Sequence, residues 1–194
     1  MNETDVTDGG VKCPFNVLID SAEQLPWRFT GISVDKGEWP PVVQVMIDQE
    51  KLFPWQIVYN IDVTHCSLGH HHGDYSIQGY EGRVHIERKS LEDAIATFCA
   101  YADREVNFQK EMEYLHEVEY SAVVVECSVG QALANVRQWG TKTEAQNRQR
   151  LSRKILSLQM DYNVQWFWCD SRRHAEITTF RLLNRFYRKL KDES

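Results

Sequence analysis

The chain lacks the features that mark several common classes of protein. Its five cysteines stand singly among 194 residues, with no C-x-x-C pair, so neither a zinc site nor a disulfide framework is indicated. No apolar run approaches the ~20 residues that a membrane helix needs, and the polar, acidic N-terminus does not match a secretory signal. We therefore expect an intracellular protein, in the cytoplasm, nucleoid or nucleus, that is neither secreted nor inserted in a membrane.

Basic side chains are scarce in most of the sequence. Residues 1–136 contain 9 Lys and Arg against 22 Asp and Glu, a net charge of -13, whereas residues 137–194 contain 13 against 6, a net charge of +7. Nucleic-acid binding depends on neutralising phosphates with basic side chains. A local basic patch is a better guide to such binding than the overall charge of -6, so a DNA-contacting surface is expected in the C-terminal part.

The length fits one domain whose core is large enough to fold without disulfides. Residues 1–15 are expected to be a flexible N-terminus, and residues 16–194 a single domain with a core at about 16–127 and a basic, helical part at about 130–191. Strands alternate with helices, which indicates an α/β fold with a mixed central sheet flanked by helices. The predicted strands are 16–20, 56–63, 84–89, 120–127 and 163–169, and the predicted helices are 90 to about 116, 130–139, 143 to about 160 and 171 to about 191.

The most informative segment is the strand 84–89 with the turn before it. Because side chains alternate along a strand, Glu87 and Lys89 point to one face and Arg88 points to the other. A short, turn-rich spacer joins this strand to Asp74, whose carboxylate can then lie beside that of Glu87. Two neighbouring carboxylates repel each other unless a cation lies between them, and hard divalent cations take oxygen ligands. The pattern predicts a Mg²⁺ or Mn²⁺ site with Lys89 at its edge.

A metal bound next to a lysine suits one chemistry in particular. Hydrolysis of a phosphodiester needs a polarised phosphoryl oxygen, an activated water and neutralised charge on the way to the transition state. The metal and Lys89 together can supply all three. An aspartate followed by a spacer and Glu-x-Lys is also the general pattern of the restriction-endonuclease-like nucleases, which this segment resembles.

A longer pattern makes the resemblance specific. The Gly-Asp pair at 73–74, the Glu-Arg-Lys run at 87–89 and Asp93 closely resemble the XPF-type structure-specific endonucleases, whose pattern is GD followed by ERK-x-x-x-D. Every named position of that pattern is filled in this chain. With the flanking segments, the resemblance covers roughly residues 16–127.

The flanking segments resemble the family on both sides. Residues 17–24 are similar to its first strand and acidic D-x-R-E-Q segment, with Asp20 and Glu23 in place. Ala22 stands where the family usually has arginine, which leaves the role of that guanidinium open. Residues 120–126 resemble the next core strand, which in the family ends in an acidic residue, here Glu126.

The resemblance implies a metal-dependent DNA endonuclease with a restriction-endonuclease-like fold. The implied substrate is branched DNA, such as flaps, forks or junctions. The residues that it implies are Asp74 and Glu87 as metal ligands, Lys89 to position or activate the water, and, in support, Asp20, Glu23, Arg88 and Asp93.

Substrate recognition and assembly are also expected to follow the family. Many members carry a tandem helix-hairpin-helix module that grips duplex DNA, and nothing after residue 127 resembles one. The chain is therefore expected either to act as a stand-alone nuclease core or to rely on a partner for binding to duplex DNA.

Family members also pair through their nuclease domains, so a homodimer is expected, with the apolar face of the last helices as its surface. The rival interpretation is a non-catalytic DNA-binding or scaffolding subunit.

Three of these residues also fit an ordinary structural role. Arg88 faces away from the predicted metal and suits an ion pair that bridges to a neighbouring element. Ser90 and Asp93 have the spacing of a capping box, in which an anion is also favoured in the first helical turn. Glu126 ends a buried strand, so its charge needs either a partner or access to the cleft.

Contacts to DNA are expected from histidine and arginine side chains. His85 shares the face of the catalytic residues and is interpreted as a contact near the scissile phosphate. The three histidines at 70–72 are either a solvated loop, a second contact to phosphates or a site for a transition metal. A stripe of arginines at the C-terminal end is typical of a solvated helix face, but here it stands in the most basic part of the chain, so we favour phosphate contact. Its members are Arg172, Arg173, Arg181, Arg185 and Arg188.

Overall fold

Strands and helices alternate along the computed structural model, which describes residues 6–7, 10–69, 72–99, 102–137 and 143–193. The strands are β1 (Val6–Thr7), β2 (Gly10–Lys12), β3 (Val17–Asp20), β4 (Val58–Asn60), β5 (Val63–Cys66), β6 (Tyr75–Ile77), β7 (Val84–Lys89), β8 (Tyr120–Val125) and β9 (Gln165–Trp168). The helices are α1 (Pro41–Asp48), α2 (Leu91–Cys99), α3 (Ala102–Glu117), α4 (Val129–Asn135), α5 (Glu144–Tyr162) and α6 (Arg172–Asp192).

Six of the strands form a mixed central sheet in the order β5-β3-β6-β7-β8-β9. β6 runs antiparallel to both β3 and β7, whereas β7, β8 and β9 are parallel to one another and β5 is parallel to β3. Strands β1, β2 and β4 form a small second sheet. The mixed α/β architecture predicted from the sequence is confirmed.

Helices cover both faces of the central sheet. In β8, Val124 belongs to one core together with Phe180 and Leu183 of α6. Val123 and Val125 belong to a second core, which contains buried side chains of α2, α3 and α5. Because successive side chains of a strand point to opposite faces, the β-branched run of β8 supplies both cores.

The long C-terminal helices form as their sequence signals indicate. α5 begins at a capping box, in which the amide of Gln146 donates to the hydroxyl of Thr143 and the Gln146 side chain accepts from the Thr143 amide. α6 begins after Ser171, whose side chain accepts from the amide of His174. In the described part of the chain, none of the helices combines the length and apolar character needed to cross a membrane.

Two segments differ from the prediction. In residues 10–15, where the sequence predicts a flexible N-terminus, β2 pairs with β4, and Val11, Cys13 and Phe15 are buried in the core. The strand predicted at 56–63 is divided into β4 and β5, since the chain passes there from the small sheet to the central one. The helix predicted from 90 to about 116 is described as α2 and α3, and residues 100–101 between them lie outside the described residues.

The apolar face of α6 is not available as a dimer surface. Its Phe180, Leu183 and Leu190 are buried against the central sheet of the same chain, so the predicted surface is wrong for this helix. The apolar face of α5, with Leu151, Ile155 and Leu158, is likewise buried, so the prediction is wrong for this helix too. Elsewhere on α5, Leu156 and Met160 are 63% and 82% exposed.

Candidate active site

The residues predicted to be catalytic lie at neighbouring strand ends in the central sheet. Asp20 is the last residue of β3, Asp74 directly precedes β6, Lys89 is the last residue of β7 and Glu126 follows β8. Because β3 and β6 are antiparallel neighbours, the end of one lies beside the start of the other, and the Asp20 amide donates to the Asp74 carbonyl at 2.8 Å. Together with Glu87, these side chains line one cleft of about 880 Å³.

Asp74 is held against the backbone of β7. The amide of Arg88 donates to Asp74 Oδ2 at 2.8 Å. The preceding Gly73 passes so close to β7 that a Cβ on it would lie 2.8 Å from the carbonyl carbon of Ile86. Glycine is needed here for this close approach. The Gly-Asp pair therefore has a physical basis, because the glycine brings the chain against β7 and the aspartate bonds to its backbone.

Glu87 and Lys89 share one face of β7, as predicted, and form a buried ion pair. Lys89 Nζ donates to Glu87 Oε1 at 2.7 Å and to Glu111 Oε2 of α3 at 3.2 Å. The ammonium also lies 4.8 Å from the centroid of the Phe108 ring. The Lys89 and Glu87 side chains are only 8% and 7% exposed. The amine is thus fixed between two carboxylates at the edge of the cleft.

Burial and neighbouring charge raise the pKa values of the site carboxylates. Burial is the largest influence on Asp74 and raises its pKa to about 7, even though the hydrogen bond from the Arg88 amide lowers it. Burial also raises the pKa of Glu87, and the nearby charge of Asp74 raises it further. For Lys89, burial acts to lower the pKa, but the charges of Glu87 and Glu111 outweigh it and raise the pKa. The two carboxylates thus lie near enough for their charges to interact, beside an amine that stays protonated.

The donor set of Asp74 and Glu87 fits a hard divalent cation. Among the described residues, no group of three or more His, Cys, Asp or Glu side chains is arranged to hold a metal ion. A pair is sufficient for Mg²⁺, which commonly takes one or two protein carboxylates and fills its other positions with water and substrate phosphate oxygens. Buried carboxylates with raised pKa values also gain from a nearby cation, because it favours their ionised form.

Arg88 lies on the opposite face of β7 and bridges two other elements. Its Nε donates to Glu126 Oε1 at 2.7 Å, and its Nη1 donates to Glu23 Oε1 at 3.1 Å. The guanidinium also lies 5.8 Å from the ring centroid of Trp27, whose Nε1 donates to Glu126 as well. The bridging role that the sequence suggested for Arg88 is therefore present, and it joins β7 to the segment after β3 and to the end of β8.

Two of the supporting carboxylates make local hydrogen bonds. Asp20 accepts from the amides of Ala22 and Leu68, at 2.7 and 2.8 Å, so it fixes the segments that follow β3 and β5. The Ser90 hydroxyl accepts from the Asp93 amide, which is one half of the capping box predicted for α2, and it donates to the Asp93 carboxylate. Both carboxylates also line the cleft.

The histidines near the site make structural contacts. His85 is fully buried, its Nε2 lies against the carbonyl of Glu81 and its ring packs edge-on against Tyr114. A buried ring cannot touch a DNA strand, so the prediction of a DNA contact for His85 is wrong. His72 lines the cleft with its ring stacked on Tyr114 at 3.9 Å. Residues 70–71 lie outside the described residues.

Most of the arginines predicted to contact DNA are engaged within the chain. Arg172 lines the cleft and donates to Glu126 Oε1 at 2.7 Å and to the Leu25 carbonyl at 2.6 Å. For Arg185, the described residues offer no ion-pair partner. The other pairs are Arg173 with Glu176, Arg181 with Asp35 and Arg188 with Glu38. Contact of this set with DNA stays a prediction.

Glu111 is the site residue that sequence reasoning missed. It stands 22 residues beyond Lys89 in α3 and belongs to no local motif. The available signal was its position on an amphipathic helix, next to the buried Phe108, Met112 and Leu115. An acidic residue at the border of a buried helix face needs a basic partner on the element that it covers.

Comparison with known proteins identifies the family of this chain. The family model described as the ERCC4 domain matches residues 47–181, which is more than half of the chain. The chain belongs to the ERCC4 domain family. The match includes Asp74, Glu87 and Lys89 but begins after Asp20 and Glu23. No curated protein matches the chain significantly.

A solved structure shares the fold of this ERCC4 domain. The chain is similar to XPF from Aeropyrum pernix, with a TM-score of 0.51 and 18% identity over 91% of this chain and 67% of that chain. It is also similar to XPF from Aeropyrum pernix in complex with DNA, with a TM-score of 0.48 and 17% identity over 90% of this chain and 66% of that chain. The XPF-type nuclease domain expected from the sequence is confirmed, and the chain is a member of a nuclease family.

Replacing Gly73 with alanine is expected to push Asp74 away from β7. The new Cβ would meet backbone atoms of Ile86 and Glu87 at 2.8–3.1 Å, and a strand backbone cannot yield as a side-chain tip can. We expect Gly73→Ala to lower the free energy of unfolding by about 1–3 kcal/mol, measured by urea denaturation. Gly82→Ala is the matched control and should cost no stability, because no atom lies within 4 Å of its Cβ. Equal stability of the two variants would contradict the close approach.

Removing the Lys89 amine is expected to leave Glu87 and Glu111 without their cation. For Lys89→Met we expect a loss of about 3 kcal/mol, the low end of the cost of an unpaired buried charge, because a carboxyl can take up a proton. A second change, Glu87→Gln, should recover part of the loss. Lys110→Met, at an exposed position of α3, should change the free energy of unfolding by less than ~0.5 kcal/mol. If Lys89→Met were as stable as Lys110→Met, that result would contradict the buried ion pairs of Lys89 with Glu87 and Glu111.

Proposed function

We propose that this chain is a metal-dependent DNA endonuclease that cuts branched DNA, such as flaps, forks or junctions. The observation that carries the proposal is the convergence of Asp74, Glu87 and Lys89 in one cleft. There, the Lys89 amine donates a hydrogen bond to the Glu87 carboxylate. Membership of a nuclease family rests on the ERCC4 domain match. The proposal concerns the catalytic activity of this member, its metal and the DNA structure that it cuts.

The charge of the cleft supports a metal requirement. Its lining contains eight acidic side chains against three basic ones, a formal charge of -5. Two of the basic side chains, Arg88 and Lys89, are buried and already paired with carboxylates. A DNA phosphate would be repelled from such a cleft unless cations offset its charge. A divalent cation, Mg²⁺ or Mn²⁺, is therefore part of the proposed mechanism.

Asp74 and Glu87 are the side chains that would hold this cation. When bound, it supplies a polarised phosphoryl oxygen and a water of lowered pKa. Lys89 stabilises the negative charge that develops on the phosphoryl group and helps to orient the water. Glu111 keeps the ammonium in place when Glu87 also serves as a ligand. The buried ion pairs thus hold the amine near its working position before the substrate arrives.

Assembly belongs to the same proposal. The exposed Leu156 and Met160 lie one turn apart on α5, where a second copy or a partner could cover them. Such a partner would supply an additional binding surface for duplex DNA. The DNA structure that is cut would therefore depend on the partner and on the oligomeric state.

The experiment that tests the proposal is cleavage of labelled flap, fork, junction and linear duplex DNA in Mg²⁺, with RNA versions as a comparison. We expect cleavage of branched DNA, and a loss of at least ~10²-fold in rate for Asp74→Asn and Glu87→Gln. Glu117→Gln, an exposed position on α3, should cleave like the parent protein.

Two outcomes would count against the proposal. If every substrate is bound but none is cut, the chain is a DNA-binding or scaffolding subunit. If cleavage survives both Asp74→Asn and Glu87→Gln, the reaction does not use this cleft.

A further inference from the structure

A second groove adjoins the catalytic cleft and carries the opposite charge. It measures about 880 Å³ and shares Gln24, Leu25 and Arg172 with the cleft. Its lining contains three arginines and one carboxylate, Glu176, a formal charge of +2, whereas the lining of the cleft carries -5. Arg172 stands in both linings and so marks where the two meet.

Arg28 is the arginine of this groove that is free to bind a ligand. It is exposed, and the described part of the chain contains no ion-pair partner for its guanidinium. Its backbone is held firmly, because the amides of Arg28 and Phe29 donate to Glu176 Oε1 at 3.1 and 2.6 Å. The groove therefore presents an exposed cation on a loop that hydrogen bonds hold in place.

The other arginines of the groove contribute mainly through their positive electrostatic potential. Arg173 donates to Glu176 Oε2 at 2.7 Å and to the Gly31 carbonyl at 2.9 Å, while 45% of its side chain remains exposed. Arg172 is 44% exposed and is held by Glu126. Partly exposed guanidinium groups of this kind attract phosphates without giving up their internal bonds.

Apolar side chains lie beside these cations. Leu25 is 65% exposed and Val63 is 40% exposed, and both line the groove. Val63 belongs to β5, an edge strand of the central sheet, so no further strand of the described residues closes this side of the groove. A single nucleic-acid strand offers the matching surface, since its phosphates alternate with sugars and bases that can contact apolar groups.

We propose that this groove binds the single-stranded arm of the DNA next to the scissile phosphate. The inference rests on the proposed nuclease function and assigns the path of one strand. The strand passes along Arg28 and Arg173 and enters the cleft past Arg172. The positive groove supplies the affinity for the phosphate backbone of DNA that the acidic cleft lacks.

Binding of a fluorescent single-stranded DNA oligonucleotide, measured by anisotropy in an Asp74→Asn background, tests the groove without cleavage. Arg28→Ala is expected to raise Kd roughly three- to tenfold and to reduce the slope of log K against log salt by about 0.7, the value for one phosphate contact on a single strand. Arg28→Lys should retain most of the affinity. Lys51→Ala, an exposed cation that lines neither groove nor cleft, should bind like the background protein.

The proposal is overturned if Arg28→Ala leaves Kd and salt slope unchanged, or if Lys51→Ala weakens binding equally. Thermal unfolding of each variant shows whether a loss of binding reflects a loss of folding, and recovery by Arg28→Lys separates a charge effect from a packing effect. Cleavage by the unaltered protein in Mg²⁺ is scored separately. Arg28-dependent binding without cleavage would reject the nuclease function alone, and cleavage without Arg28-dependent binding would reject the groove alone.

Discussion

Charges buried on both faces of β7 must be neutralised, and the arrangement of the site follows from this requirement. On one face, Lys89 lies between Glu87 of the same strand and Glu111 of α3. On the other face, Arg88 lies between a carboxylate from the segment after β3 and one from the end of β8. Leaving any of these charges unpaired costs several kcal/mol, so each face draws partners from distant elements. These ion pairs therefore connect β7 to α3, to the segment after β3 and to the end of β8.

The two faces of β7 have different consequences for function. The charges on the face of Arg88 are balanced, and through Glu126 this face also engages Arg172 at the start of α6. The face of Glu87 is unbalanced, because carboxylates outnumber the single amine. That excess of negative charge is unfavourable for folding alone but suits a site that receives a cation, and active sites commonly hold such unfavourable features. In the proposed function, the acidic cleft holds the metal and the basic groove beside it binds DNA.

Local patterns in the sequence were sufficient for much of this account. Alternation along 84–89 correctly separated Glu87 and Lys89 from Arg88, and the capping box at Thr143 and Gln146 located the start of α5. Partners between distant elements were beyond such reasoning. Helical spacing alone cannot show that Arg181 meets Asp35, nor that Glu111 meets Lys89. The face of His85 was also assigned correctly, but its burial depends on packing by α3, which no local pattern reveals.

Direct binding of a divalent cation tests the central claim most directly. Isothermal titration with Mn²⁺ or Mg²⁺, in the absence of DNA, should show saturable binding by the unaltered protein. Because the account has Asp74 and Glu87 hold one cation jointly, Asp74→Asn and Glu87→Gln should each abolish that binding, while Glu117→Gln should retain it. Saturable binding that persists unchanged in both single variants would contradict the account.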